Sequence, residues 1–188
     1  MSDVGAEVLS EPQKTIKIKR QSKKKQKFTD IYTKSIITKS IIVNINIVDN
    51  KIEQTLEKII AYNIEGKCIS EGYIKPESIK IITYSSGIVK GSNVIFDVVF
   101  ECLVCYLVEG MIINCIAKNI TKAGIRAELS EENSPIIVFV ARDHNYLSTK
   151  FSTIQDNDTI IIRVIGQRFE LNDTYISIIG ELISDTKS

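Results

Sequence analysis

Gly110-Met-Ile-Ile-Asn-Cys-Ile-Ala-Lys-Asn-Ile120 opens the last third of the chain. Together with Ala123-Gly-Ile-Arg-Ala-Glu-Leu129 and residues 136–141, 159–169 and 174–182, it reads as five consecutive strands. Each run is rich in Ile and Val, whose branched side chains suit a pleated, half-buried surface. The joints carry turn residues: Thr121-Lys122, Ser130-Glu-Glu-Asn-Ser-Pro135, Asp156-Asn-Asp158 and Glu170-Leu-Asn-Asp173. Five such strands are the inventory of an OB barrel, a scaffold that binds more often than it catalyses and takes single-stranded nucleic acid as its commonest ligand.

Upstream the pattern changes. Residues 36–48 read as a strand with partial alternation, as in Val43-Asn-Ile-Asn-Ile47. A helix follows, capped by Asp49 or Asn50, with Ile52, Leu56, Ile59 and Ile60 on one face and Gly66 where it must stop. After short strands at 67–69 and 78–84, residues 94–108 form a long strand in which Val94, Phe96, Val98, Phe100, Cys102, Val104, Tyr106 and Val108 share a face. One helix against an antiparallel sheet is a small α+β unit. The expected organisation is therefore a basic mobile tail at 1–30, an N-terminal tip domain at 31–108 and a C-terminal OB domain at 109–188.

The net charge of +1 hides an asymmetry. Eight of the 24 basic residues crowd between Lys14 and Lys27, a stretch without an acid; after it 16 basic residues face 20 acidic ones, leaving residues 28–188 at about −4. The tail fits a nuclear-import signal, a phosphate-contacting arm or a plain solvated segment. The folded part is mildly acidic, so nucleic-acid affinity there needs a local patch.

Cys68, Cys102, Cys105 and Cys115 all fall inside expected strands, which favours reduced, buried thiols over a disulfide framework. Cys102-Leu-Val-Cys105 has CxxC spacing, but residues three apart on a strand point to opposite faces and cannot share a metal. No metal or cofactor is expected. The opening residues carry no secretory pattern, and Asp97 and Glu101 interrupt the longest apolar run, so no membrane span is expected. A P-loop, GxGxxG, HExxH and a close carboxylate cluster are all missing from the sequence, so it is expected to be an accessory protein rather than an enzyme.

The order strand, amphipathic helix, Glu65-Gly-Lys-Cys68, Gly72-Tyr73-Ile74, long strand, Gly110 and barrel resembles the seventh-subunit family of RNA polymerase II and its counterpart in the archaeal RNA polymerase. Asn119-Ile-Thr-Lys-Ala-Gly-Ile125, Phe139-Val-Ala-Arg142, Ile160-Ile-Ile-Arg-Val-Ile-Gly-Gln-Arg168 and Ile178-Ile-Gly-Glu-Leu182 carry the rest of the likeness, which covers residues 36–183. The resemblance implies a non-catalytic stalk subunit of a multisubunit DNA-dependent RNA polymerase. Its tip would plug into the largest and other core subunits, and its barrel would project near the RNA exit path to meet single-stranded nascent RNA. A fourth-subunit partner completes the stalk in that family.

Gly66, Gly72, Tyr73, Ser86 and Gly87 are the expected partner-binding residues, and Lys118, Lys122, Arg126, Phe139, Arg142 and His144 the expected RNA-binding ones. Two departures stand out. Gly124-Ile125-Arg126 lacks the exposed aromatic that in the family often follows a Gly-Leu or Gly-Ala pair, and Tyr106-Leu-Val-Glu-Gly110 replaces the family's junction proline. The competing reading is a free OB-fold RNA-binding factor of translation or RNA processing. The Ile, Lys and Asn bias suggests a large DNA virus, hence host cytoplasm and virion; otherwise the nucleus is expected.

Overall fold

The computed structural model describes residues 31–130, 134–145 and 149–183. The basic tail and the Glu131-Glu132 corner lie outside them. Two sheets make up the fold, one open and one closed.

The open sheet is built around one long strand. Strand β1 (Tyr32–Asn44) pairs antiparallel with β6 (Asn93–Cys105) over their whole length, from Tyr32 opposite Cys105 to Asn44 opposite Asn93. The other flank of β6 is tiled by β3 (Gly72–Ile74), β4 (Lys80–Tyr84) and β5 (Ile88–Lys90), with β2 (Cys68–Ile69) beyond β3. Helix α1 (Ile52–Ile64) covers one face, burying Ile52, Leu56, Ile60 and Ile64 against Val94, Phe96, Val98, Phe100, Cys102 and Val104. The alternation in the sequence reports this face correctly as far as Val104.

Three boundaries differ from the sequence reading, each for a local reason. The first strand ends at Asn44 because its Oδ1 accepts from the Asn46 amide at 3.0 Å, folding Ile45–Ile47 into a 3-10 turn. Asp49 does not cap the helix: its Oδ1 accepts from the Lys51 amide at 2.9 Å, and Lys51 stands at the N-cap. The long strand stops at Cys105 rather than Val108. Tyr106 and Val108 turn to solvent while Leu107 is buried in the barrel core, its amide donating to Gln167 Oε1 at 3.1 Å.

The closed sheet comprises β7 (Ile112–Ile120), β8 (Gly124–Leu129), β9 (Ile136–Ala141), β10 (Thr159–Arg168) and β11 (Ile176–Leu182). They join as β10-β11-β9-β8-β7, and β7 returns to β10. Every contact is antiparallel except β9 with β11. Inward positions such as Ile113, Cys115, Ile125, Val138, Ile162 and Ile178 fill the interior.

The sheets meet where β2 and the end of β6 reach the barrel. Ile31, Cys68, Tyr73, Cys105 and Leu107 belong to the barrel's core rather than to the helix-covered one. Backbone bonds stitch the joint: the Cys68 amide donates to Asp173 O at 2.7 Å, and the Asn172 amide to Cys68 O at 2.9 Å. Cys102 and Cys105 consequently lie in two different cores, as opposite faces of one strand require.

Candidate nucleic-acid interface

The outward residues of the barrel line up in rows across its strands. Ile116, Glu128, Ile137 and Ser177 are successive neighbours on β7, β8, β9 and β11. The next row holds Asn119, Arg126, Phe139 and Ile179, and beyond it Gly124 faces Ala141. Rows lie two residues apart, so the strip from Ser130 to Gly124 runs about 20 Å. That length spans about three nucleotides of an extended strand at one base per row.

The six residues expected to contact RNA fall in two groups on this strip. Lys118, Arg126 and Phe139 occupy its middle, all exposed. A bulge between Ala117 and Asn119 sets Lys118 out of register and aims it outward, where its Nζ donates to Asn157 Oδ1 at 3.3 Å. Phe139 is 41% exposed, a large fraction for a phenyl ring on a strand. The ring lies over Gly124, where a Cβ would stand 2.8 Å from Phe139 Cζ and 2.5 Å from Val140 O. Only glycine fits there. The neighbouring strand thus supplies the aromatic surface that the Gly124-Ile125-Arg126 sequence lacks.

Lys122, Arg142 and His144 gather at the far end. Arg142 is held in place: its Nε donates to Lys122 O at 2.8 Å and its guanidinium lies 4.8 Å from the Phe151 ring centroid. His144 sits exposed in a 3-10 turn (Asp143–Asn145).

At the opposite end the sequence reading missed a cleft of about 490 Å³, lined by Lys118, Arg126, Glu128, Ser130, Ser134 and Tyr175 over an apolar floor of Ile116 and Ile137. Tyr175 is 44% exposed. Its place is fixed by long-range contacts: its carbonyl accepts from Cys68 Sγ at 3.6 Å, and the following Ile176 amide donates to Pro135 O at 2.7 Å. A tyrosine in a turn before a last strand gives no such signal in sequence.

The residues expected to meet partners are also divided. Gly72 and Tyr73 serve the joint inside this chain. Tyr73 is buried in the barrel core, and a Cβ on Gly72 would stand 2.5 Å from Cys105 O. Gly66 ends the helix, its amide donating to Ile74 O at 2.9 Å. Ser86 and Gly87 lie instead toward the free end of the open sheet, level with Ile41 and about 30 Å along β1 from Tyr32 at the joint. There Ile42, Ile95 and Ile88 form a row across β1, β6 and β5, with Ile42 64% and Ile88 66% exposed. Ile45, Ile47 and Val48 are exposed in the turn beyond β1, and Val89 is exposed on the opposite face of β5.

Burial pushes the Cys115 thiol up to about 12. Burial raises Cys68 and Cys102 to about 11 each, with Asp173 adding to the first and Glu71, Glu101 and Glu65 to the second. Such thiols stay protonated at neutral pH and make poor nucleophiles and metal ligands. Among the described residues there is no group of three or more His, Cys, Asp or Glu placed to hold a metal, and no helix long and apolar enough to cross a membrane.

No protein-family model matches the chain. It is similar to a protein of Acanthamoeba polyphaga mimivirus that carries the provisional name DNA-directed RNA polymerase subunit L376. The two are 27% identical over 159 residues, covering 74% of this chain and 77% of the relative.

Proposed function

We propose that this protein is an accessory subunit of a multisubunit DNA-directed RNA polymerase, built on the plan of the seventh-subunit family. The row Ile42–Ile95–Ile88, whose outer members are exposed, with Ile45, Ile47 and Val48 in the turn beyond β1, carries this reading. So many large aliphatic side chains concentrated at one end of the open sheet mark a protein interface. The mimivirus relative supplies the kind of assembly that such an end would enter.

In this reading residues 31–108 act as the docking part and residues 109–183 as the projecting part. Ser86 and Gly87 lie at the rim of the docking end, against the largest and other core subunits. The barrel is of OB type. Its support is the strand order 1-2-3-5-4-1 and the parallel contact of third with fifth strand. Its outward strip, from the Tyr175 cleft past Arg126 and Phe139 to Lys122 and Arg142, meets nascent single-stranded RNA by stacking and phosphate contact. Catalysis belongs to other subunits. The viral relative favours a large-DNA-virus polymerase acting in the host cytoplasm and carried in the virion.

The test is a double variant, Ile42→Asp with Ile88→Asp. Both side chains are mostly solvent-exposed, so the fold is expected to survive. Recovery with the large polymerase subunits should fall about 30-fold, the loss expected when a central apolar anchor is removed. RNA binding by the isolated chain should be unchanged. Undiminished recovery would overturn the docking assignment, and recovery with ribosomes instead would favour the free RNA-binding factor.

A further inference from the structure

The cleft beside Tyr175 has a chemistry more specific than backbone-tracking RNA contact requires. Its floor is apolar, with Ile116 and Ile137 in one row, and Glu128 stands between them on the intervening strand. Tyr175, just before β11, adds an aromatic side chain to the lining, and Lys118 on β7 and Arg126 on β8 add cations. A flat heteroaromatic ring resting on Ile137 and the tyrosine would meet the Glu128 carboxylate of the adjoining strand at its edge, with the cations beyond.

We propose that this cleft accepts a single unstacked base of an RNA strand and prefers guanine. The proposal rests on the reading of the barrel as an RNA-contacting surface and adds a base preference to it. Guanine alone presents two adjacent donors, N1–H and the N2 amine, in the plane of the ring. A carboxylate accepts both at once. Adenine and cytosine each set their exocyclic amine beside a ring-nitrogen acceptor, and uracil sets N3–H between two carbonyl oxygens. Each of these turns a lone pair toward Glu128.

The state of Glu128 fits the role. Its Oε1 lies 3.3 Å from Arg126 Nη2, and the two side chains are 44% and 51% exposed. So exposed a pair contributes little and opens easily. When a base engages the carboxylate, Arg126 is released toward the adjoining phosphate, with Lys118 beside it. Tyr175 needs no such rearrangement, because the loop behind it is pinned by the Asp173 and Asn172 bonds to Cys68.

The experiment uses the full chain and fluorescently labelled eight-nucleotide RNAs: all uridine, or uridine with one central guanosine, inosine or adenosine. The guanosine RNA should bind about 5-fold more tightly than the all-uridine one, the worth of a modest bidentate contact. Inosine, which lacks the N2 amine, should fall between them, and adenosine should match uridine. Glu128→Gln should abolish the guanosine preference, read as the ratio of guanosine to all-uridine affinity, and Tyr175→Ala should weaken the guanosine RNA most. Equal binding of all four RNAs, or a guanosine preference that survives Glu128→Gln, overturns the guanine cleft but leaves the RNA-contacting barrel standing. No binding to any RNA overturns both.

Discussion

The open sheet and the barrel treat their edges in opposite ways. In the barrel each strand has a neighbour on both sides, so its exterior offers ligands only side chains in fixed rows. Among the described residues the open sheet pairs β1 with β6 alone, leaving a thirteen-residue edge, and exposes Ile42 and Ile88 at one end of that sheet. Closure suits a surface that must hold small groups at set distances. An open, apolar end suits a surface finished by another protein.

Core truncations test how independent the two sheets are. Leu56→Ala empties a fully buried site under the helix, and Ile162→Ala an equivalent one inside the barrel. Each should cost about 2–5 kcal/mol in urea unfolding. Since Tyr73, Cys105 and Leu107 bind the open sheet's base into the barrel core, both variants should shift one common transition. Two separate transitions would show that the joint couples weakly.

Breaking the joint itself comes next in size. Gly72 has φ +131, and any Cβ would press on the Cys105 carbonyl, which is backbone and cannot move aside. Gly72→Ala should therefore destabilise the chain by about 3 kcal/mol, from strain and overpacking together. It should also weaken the cleft, since β2 holds the loop that places Tyr175. Nuclear magnetic resonance shifts at Tyr175 would report this.

Alkaline titration gives the smallest effect. Cys102 sits in the helix-covered core and Cys115 in the barrel, and both are raised from 9.0, to about 11 and about 12. The folded state holds these protons more tightly than the unfolded chain does. Their contribution is complete below pH 9 and is lost as pH climbs through the raised values. Stability should decline progressively above pH 9, and Cys115→Ser should flatten the upper part of that decline, as followed by circular dichroism.

Most of the architecture was legible because it is written in local alternation. The five barrel strands observed begin and end within two residues of the expected runs, since Ile and Val at alternate positions leave little choice of face. The helix was equally plain. What escaped was whatever depends on residues far apart in the chain. The alternation through Val108 looked continuous, yet Gln167 captures the Leu107 amide and reverses the pattern. Tyr73 looked like a docking residue, and only the barrel's approach shows that it is interior packing. Arg126 and Phe139 were picked separately as RNA contacts, but their adjacency, and the use of Phe139 to cover Gly124, emerges only from the register of β8 with β9.

The parallel contact between β9 and β11 dictates an order of events during synthesis. Strand β11 inserts between β9 and β10, so the cylinder cannot shut until residues 176–182 have left the ribosome. Until then two apolar strands keep raw borders, and β2 waits for Asn172 and Asp173. A chain halted before Ile176 would present those borders to its neighbours and should clump where the finished chain stays dispersed.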